Sequence, residues 1–105
     1  MININFSYNW NNKLDCKAFT TIRIYSVVKH IPGQEVNIQL GGADLCEGKI
    51  IEVKRFFLKD MTNYMAYLDT GYDKEEATKI ITRMYPRFDF TKQMLAFILI
   101  LKNKQ

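Results

Sequence analysis

The sequence is poor in the residues that build disulfide frameworks and metal centres. It contains two cysteines, Cys16 and Cys46, and one histidine, His30. Two cysteines are too few for a disulfide scaffold, and neither has the ligand spacing or the nearby histidine of a zinc site. We expect no metal and two reduced, partly buried thiols, with a single Cys16–Cys46 bridge as the open alternative. His30 has no nucleophile or carboxylate at a recognisable spacing, which favours a surface turn residue.

Long apolar runs and known cofactor motifs are also lacking. The run Met94 to Leu101 is far too short to cross a bilayer. The first residues alternate apolar with Asn and carry no basic leader, which predicts a strand in place of a signal peptide. No P-loop, dinucleotide fingerprint or nucleophile elbow occurs, so we expect no cofactor. The prediction is a cytoplasmic protein without a membrane segment.

Length and composition predict one folded domain. The 105 residues leave no room for a second domain, so the expected domain is 1–105. Six Tyr, seven Phe and one Trp supply enough aromatic volume for a core. A net charge of +4 permits a polyanionic partner such as RNA or a nucleotide, although solubility alone explains the same charge.

Hydrophobic periodicity predicts about five or six strands and two helices. Alternating or continuously apolar segments predict strands at Ile2–Phe6, Phe19–Tyr25, Glu35–Leu40, Lys49–Phe56 and Met94–Leu101. Helical spacing predicts a first helix over Leu58–Leu68, begun by Asp60 and followed by Gly71. Asp73 begins a second helix, which stops before Pro86. Strands with segregated helices indicate an α+β fold, here a small, partly closed mixed β-barrel with a helical side.

The segment Phe19 to Arg23 is the strongest functional signal. Side chains two apart on a strand point to the same face, so Thr21 and Arg23 would present a hydroxyl and a guanidinium side by side. Such a pair suits a phosphate, a carboxylate or the polar edge of a base. An Arg23 paired with Glu52 or Asp69 inside the barrel is the structural alternative.

The order of several short motifs resembles a known family. In chain order they are Thr21-Ile22-Arg23, Pro32-Gly33-Gln34-Glu35-Val36, Gly48-Lys49-Ile50-Ile51-Glu52-Val53, Asp69-Thr70-Gly71-Tyr72-Asp73-Lys74-Glu75-Glu76 and the closing apolar strand. From about Leu14 to Leu101 this pattern resembles the ASCH domain family of the PUA-like β-barrel superfamily. The resemblance implies a PUA-like barrel with an RNA-linked role and a pocket that the Thr-x-Arg motif lines.

The same resemblance implies a possible enzyme. The acetylcytidine amidohydrolases of this family are identified by a Lys-x-x-Thr-x-Arg constellation and an acidic residue before the second helix. This sequence resembles that pattern in part. Alignment on Thr21 and Arg23 places Ala18 where that lysine stands, and Lys17 is one residue early. A strand residue shifted by one turns its side chain to the other face, so Lys17 needs a bulge to act there. The catalytic candidates are therefore Lys17, Thr21 and Asp69.

The remaining candidate residues would orient a ligand, stack on its base or contact a nucleic-acid backbone. Asp69 matches the family's acidic residue in position and could accept a proton or bind an exocyclic amine. Trp10 and Tyr72 are the aromatic ligand-binding candidates, with a structural cap on the barrel as the alternative for Trp10. The basic residues that could follow a nucleic-acid backbone are Lys13, Lys17, Arg23, Lys29, Lys49, Lys54 and Arg55.

Three functions remain open at this point. The leading hypothesis is an RNA- or nucleotide-binding module that uses Thr21, Arg23, Asp69, Tyr72 and Trp10. The second is an amidohydrolase acting on an acylated pyrimidine nucleoside. The third is a protein-interaction domain with an exposed apolar patch around Phe56, Phe57 and Phe88 and without a ligand pocket.

Overall fold

The computed structural model describes residues 1–103, so the last two positions of the predicted 1–105 domain lie outside the described residues. Five strands, two α-helices and two short 3-10 helices follow one another along the chain. The strands are β1 (Ile2–Phe6), β2 (Ala18–Ile24), β3 (Glu35–Leu40), β4 (Ala43–Phe56) and β5 (Leu95–Lys102). The α-helices are α1 (Asn63–Thr70) and α2 (Lys74–Met84), and the 3-10 helices are Trp10–Asp15 and Leu58–Asp60.

The five strands form one mixed sheet in the order β1-β3-β4-β5-β2. Strands β1 and β3 pair in parallel, and the other neighbours pair antiparallel. The sheet curls into a half-barrel, which confirms the α+β class and the strand count. Closure into a barrel is not shown: β1 and β2 are the two edges of the sheet, and the hydrogen-bonded ladders described for residues 1–103 do not join them. The ends of the sheet meet through side chains instead.

Each face of the sheet buries its own core. The concave face packs residues of all five strands together with Leu14 of the first 3-10 helix; its buried members are Ile4, Phe6, Leu14, Phe19, Val36, Ile38, Ile50, Ala96, Ile98 and Ile100. The convex face packs against the helices through Ile22, Phe56, Met61, Met65, Ala66, Ala77, Ile81 and Leu95. Since β5 lies between β4 and β2 with both faces covered, its sequence is apolar at almost every position.

A bulge interrupts the alternation of β4. Ile50 pairs with Ile100 and Glu52 pairs with Leu99, so Ile51 is an extra residue on this strand. Ile50 is fully buried, whereas Ile51 is 44% exposed. Simple alternation from the sequence did not predict this break.

The helix boundaries follow their caps. Asp73 begins α2 by accepting a hydrogen bond from the backbone N–H of Glu76, as predicted. Helix α1 begins later than predicted, because Thr62 and not Asp60 is its N-cap; Thr62 Oγ1 accepts from the N–H of Met65 at 3.1 Å. Gly71 ends α1 with a φ of 82°, a left-handed conformation that suits glycine.

Two further expectations differ from the structure. His30 is buried and its Nδ1 accepts a hydrogen bond from the N–H of Ser26 at 3.1 Å, so it is a structural turn residue and not a surface one. Phe56 is buried in the convex core, so it cannot belong to an exposed patch with Phe88.

Both cysteines are free, with Cys16 exposed and Cys46 half-buried. Within residues 1–103, no helix combines the length and apolar character needed to span a membrane.

Candidate functional site

A polar cleft opens where the two edges of the half-barrel approach the helices. Its cavity measures about 190 Å³. Strands β1 and β2, the first 3-10 helix, the end of α1 and the last turns of α2 all contribute to it. The residues that line it are Asn5, Phe6, Ser7, Trp10, Lys13, Thr21, Ile22, Arg23, Asp69, Thr70, Ile80, Ile81, Met84 and Tyr85. Thr21, Arg23 and Asp69, all predicted from the sequence, therefore lie at one cavity.

Thr21 and Arg23 share the concave face of β2, as strand alternation predicts. They pair across to Ile98 and Ala96 of β5, which are buried in the concave core. The guanidinium of Arg23 donates from Nη2 to the carbonyl oxygen of Asn5 at 2.8 Å. Its Cζ lies 4.6 Å from the centre of the Phe6 ring. Arg23 thus connects the two edges of the sheet that backbone pairing leaves apart.

Arg23 keeps donor capacity that the protein does not use. Its Nε is buried, and among residues 1–103 it has no hydrogen-bond partner. Burial lowers the pKa of the guanidinium from its usual value, while Tyr85 and Asp69 act in the opposite direction. An arginine stays charged in proteins. The side chain therefore offers a positive charge whose direct partner is a neutral carbonyl and not a carboxylate.

Asp69 lies in the last turn of α1, not in the loop between the helices. Its Oδ1 accepts the backbone N–H of Ile22 at 3.2 Å. Because β2 is an edge strand, this N–H has no neighbouring strand on that side, and Asp69 satisfies it from the helix. The carboxylate therefore fixes α1 against the same strand that carries Thr21 and Arg23.

A lysine that the sequence did not single out completes the site. Lys13 Nζ lies 2.5 Å from Asp69 Oδ1 and also donates to the carbonyl oxygen of Asp69 at 2.9 Å. Lys13 is 5% exposed. Burial lowers the pKa of its amine, and the Asp69 carboxylate only partly offsets that effect. The site is a buried Lys–Asp pair next to a hydroxyl and a guanidinium.

Lys17 is exposed and does not line the cleft. Ala18, at the position aligned with the family's lysine, is exposed as well. The amine near Asp69 thus comes from Lys13 in the 3-10 helix, and no bulge brings Lys17 into position. Local patterns could not identify Lys13, because its contact with Asp69 joins residues 56 positions apart.

The aromatic candidates are divided between two neighbouring cavities. Trp10 lines the polar cleft, together with Tyr85. Tyr72 lines an adjoining cavity of about 450 Å³, and Trp10 and Thr70 border both. Tyr72 and Trp10 meet edge to face with ring centres 6.5 Å apart.

The basic residues do not form a continuous track at this cleft. Of the seven considered from the sequence, Lys13 and Arg23 line the cavity. Lys17, Lys29, Lys49, Lys54 and Arg55 are all exposed and line other parts of the described surface. In the same residues 1–103, no group of three or more His, Cys, Asp or Glu side chains is arranged to hold a metal ion.

Comparison with known proteins adds a likeness of fold. No protein-family model matches the chain, and no curated protein matches it. Among solved structures, protein EF3133 of Enterococcus faecalis, described as a member of the family DUF984, is similar with a TM-score of 0.61. The match covers 88% of this chain and 67% of that one at 13% identity. At that identity the likeness concerns the fold alone.

Proposed function

We propose that the protein binds a nucleotide, or a single nucleotide unit of an RNA, in the polar cleft. The observation that carries this proposal is the convergence of Thr21, Arg23 and Asp69 with Trp10 on one cavity. A 3-10 helix, a strand and an α-helix supply these groups, so the fold itself assembles them. The resemblance to ASCH domains supports the same class of ligand.

The chemistry of the cleft suits a small polar ligand that carries an acceptor. Arg23 supplies a half-buried guanidinium at the cavity wall for a phosphate or a base edge. Asp69 uses Oδ1 for Lys13 and Ile22, and within residues 1–103 its Oδ2 makes no hydrogen bond. That oxygen is an acceptor for an exocyclic amine, and the Thr21 hydroxyl is a second orienting group. Trp10 and Tyr85 supply aromatic surface for a base.

The size of the cavity limits the ligand. At about 190 Å³ it lies below the roughly 300–1,000 Å³ of sites for drug-sized molecules. With two cations at the cleft and no basic track around it, one nucleotide fits better than a long nucleic-acid backbone.

Calorimetric titration with the four nucleoside 5′-monophosphates tests this proposal. We expect at least one to bind, and Arg23→Gln to weaken that binding about tenfold or more, since a hydrogen bond to a charged group contributes roughly 1.5–3 kcal/mol. Arg87→Gln is the matched control, because Arg87 is exposed and lines none of the cavities described above. Absence of binding by all four nucleotides, or equal weakening by both substitutions, contradicts the proposal.

The buried Lys13–Asp69 pair favours a second candidate, an amidohydrolase acting on acylated cytidine. Hydrolysis cleaves the acyl–nitrogen bond, adds water, and releases a carboxylate and the free amine. A buried lysine–carboxylate pair can accept a proton from the attacking group and pass it onward. Lys13 would act in the role that the family pattern gives to a lysine nearer Thr21.

Incubation with N4-acetylcytidine, followed by chromatography of the products, tests the enzyme. Turnover that is lost in Lys13→Met and Thr21→Val but kept in Lys17→Met supports it. Thr21→Val is needed beside Lys13→Met because the lysine also contributes to folding. No turnover at high protein concentration removes this candidate for that substrate and leaves nucleotide binding in place.

A further inference from the structure

A second aromatic surface lies directly beside the polar cleft. Tyr8 and Trp10 meet edge to face with ring centres 4.9 Å apart, and Trp10 and Tyr72 meet edge to face with ring centres 6.5 Å apart. We call these three rings the aromatic shelf. They border the cavity of about 450 Å³ that adjoins the cleft.

The shelf is open to solvent although its residues are large and apolar. Tyr8 is 60% exposed and Tyr72 is 49% exposed. Neither ring belongs to the concave or the convex core. Core packing therefore does not explain why three aromatic rings gather at this point, whereas exposed aromatic faces are the usual platform for unpaired bases.

The 3-10 helix that begins at Trp10 departs from helical geometry at two residues. Asn11 and Asn12 have φ values of 58° and 53°, two successive left-handed residues that are not glycine. Asn9 Oδ1 accepts the N–H of Leu14 at 2.9 Å, which fixes the loop at its far end. Gly71 lets Asn11 approach α1, since a Cβ at position 71 would lie 3.2 Å from the Asn11 side chain. The shelf is thus a built part of the fold and not a loose loop.

The shelf and the cleft are continuous. Trp10 and Thr70 border both cavities, so a ligand that fills the cleft meets Trp10 where the shelf begins. The cleft measures about 190 Å³, and the adjoining cavity is more than twice as large at about 450 Å³. A second base linked to the first would emerge next to the rings.

We propose that the shelf stacks the base of a neighbouring nucleotide, so that the ligand is a single-stranded RNA segment of at least two nucleotides. This inference rests on the proposed function, because the first nucleotide occupies the cleft. Stacking on an aromatic ring tolerates any base, since each has a π-face. The cleft then selects the first nucleotide, while the shelf adds affinity for a single strand.

The test compares 5′-phosphorylated homodinucleotides of RNA with the matching nucleoside 5′-monophosphates. For the nucleotide that binds, we expect the dinucleotide to bind roughly tenfold more tightly, the order that stacking one base provides. Tyr72→Ala removes most of this gain and leaves mononucleotide binding unchanged. Tyr67→Ala is the matched control, because Tyr67 is also an exposed tyrosine of similar accessibility, at 53%, and lines neither cavity.

Trp10 provides an independent readout. It is the single tryptophan of the chain, so its fluorescence reports a base stacked on the shelf without labelling. We expect the dinucleotide to quench it more strongly than the mononucleotide does, and Tyr72→Ala to reduce that difference.

The two proposals fail in different ways. Equal affinities for mono- and dinucleotides, or a dinucleotide gain that survives Tyr72→Ala, overturn the shelf and leave the cleft as a mononucleotide site. A gain lost equally in Tyr67→Ala also overturns it. If none of the mononucleotides or dinucleotides binds, the proposed function itself fails and the shelf proposal fails with it.

Discussion

The Nζ atom of Lys13 lies 2.5 Å from Oδ1 of Asp69, and both side chains are almost completely buried. This contact joins the first 3-10 helix to the last turn of α1. The same carboxylate oxygen accepts the N–H of Ile22, so the pair holds an edge strand, a helix and a 3-10 helix together. A buried ion pair at this junction affects both the stability of the fold and the shape of the cleft.

The first prediction concerns the stability of this pair. Lys13→Met leaves the Asp69 carboxylate buried without its cation, which lowers the free energy of unfolding by about 3–5 kcal/mol. Lys79→Met is the matched control, because the Lys79–Glu76 pair at 3.4 Å is exposed and its loss costs less than about 1 kcal/mol. Urea denaturation of both variants measures the difference, and equal effects would show that Lys13 is not a buried partner.

The second prediction concerns pH and His30. Burial, with help from Arg23 and Lys29, lowers the pKa of His30 from its ordinary value of 6.5. As the pH falls, the unfolded chain therefore binds a proton at His30 before the folded protein does. The stability that the neutral His30 contributes is complete above about pH 6.5 and is lost as the pH falls through the lowered pKa of the folded protein. Protonation also removes the acceptor that Nδ1 offers to the N–H of Ser26.

Two measurements check this behaviour. Since the chain has one histidine, an NMR titration reports its pKa directly, and we expect a midpoint below 6.5. Thermal unfolding of wild type and of His30→Asn between about pH 7.5 and 5.5 should show a steeper loss for wild type. Parallel curves for the two proteins would contradict the prediction.

The third prediction distinguishes Thr62 from Asp60 as the N-cap of α1. Thr62→Ala removes the hydrogen bond to the N–H of Met65 and costs about 1 kcal/mol of stability. Asp60→Ala, in the preceding 3-10 helix, costs clearly less, because Asp60 does not cap α1. A larger loss for Asp60→Ala in chemical denaturation would restore the helix start expected from the sequence.

The fourth prediction tests the bulge in β4. Ile50→Ala removes a fully buried side chain from the concave core and costs about 2–5 kcal/mol. Ile51→Ala, one residue along and 44% exposed, costs less than about 1 kcal/mol. Similar losses for the two neighbours would mean that the extra residue of the bulge lies elsewhere on the strand.

The sequence predicted the elements that depend on local signals. Alternation located β1 and β3 and placed Thr21 with Arg23 on one face, and the Asp73 cap located the start of α2. The start of α1 was misplaced because Asp60 and Thr62 are both suitable caps, and in the fold it is Thr62 that accepts the N–H of Met65. The hydrophobic pattern of the sequence does not distinguish between these two N-caps.

The candidate site shows the same limit. Thr21, Arg23 and Asp69 were predicted because a motif and a resemblance point to them, and they do lie at one cavity. Lys13 was not singled out, because a lysine in an Asn-rich segment is usually solvated. Its burial follows from an edge strand and a helix turn that meet only in the folded chain. Lys17 was considered because the resemblance places the family's lysine one residue away, at Ala18.

Chemical-shift mapping of the ¹⁵N-labelled protein with the nucleoside 5′-monophosphate that binds tests the central claim most directly. If the cleft is the binding site, the largest shifts occur at the amides of Thr21 to Arg23 and of Asp69 and Thr70, and at the indole N–H of Trp10. Exposed strand lysines such as Lys49 and Lys54 should show little change. Shifts centred on those lysines, or no shifts with any of the four nucleotides, would contradict a nucleotide site at the Lys13–Asp69 junction.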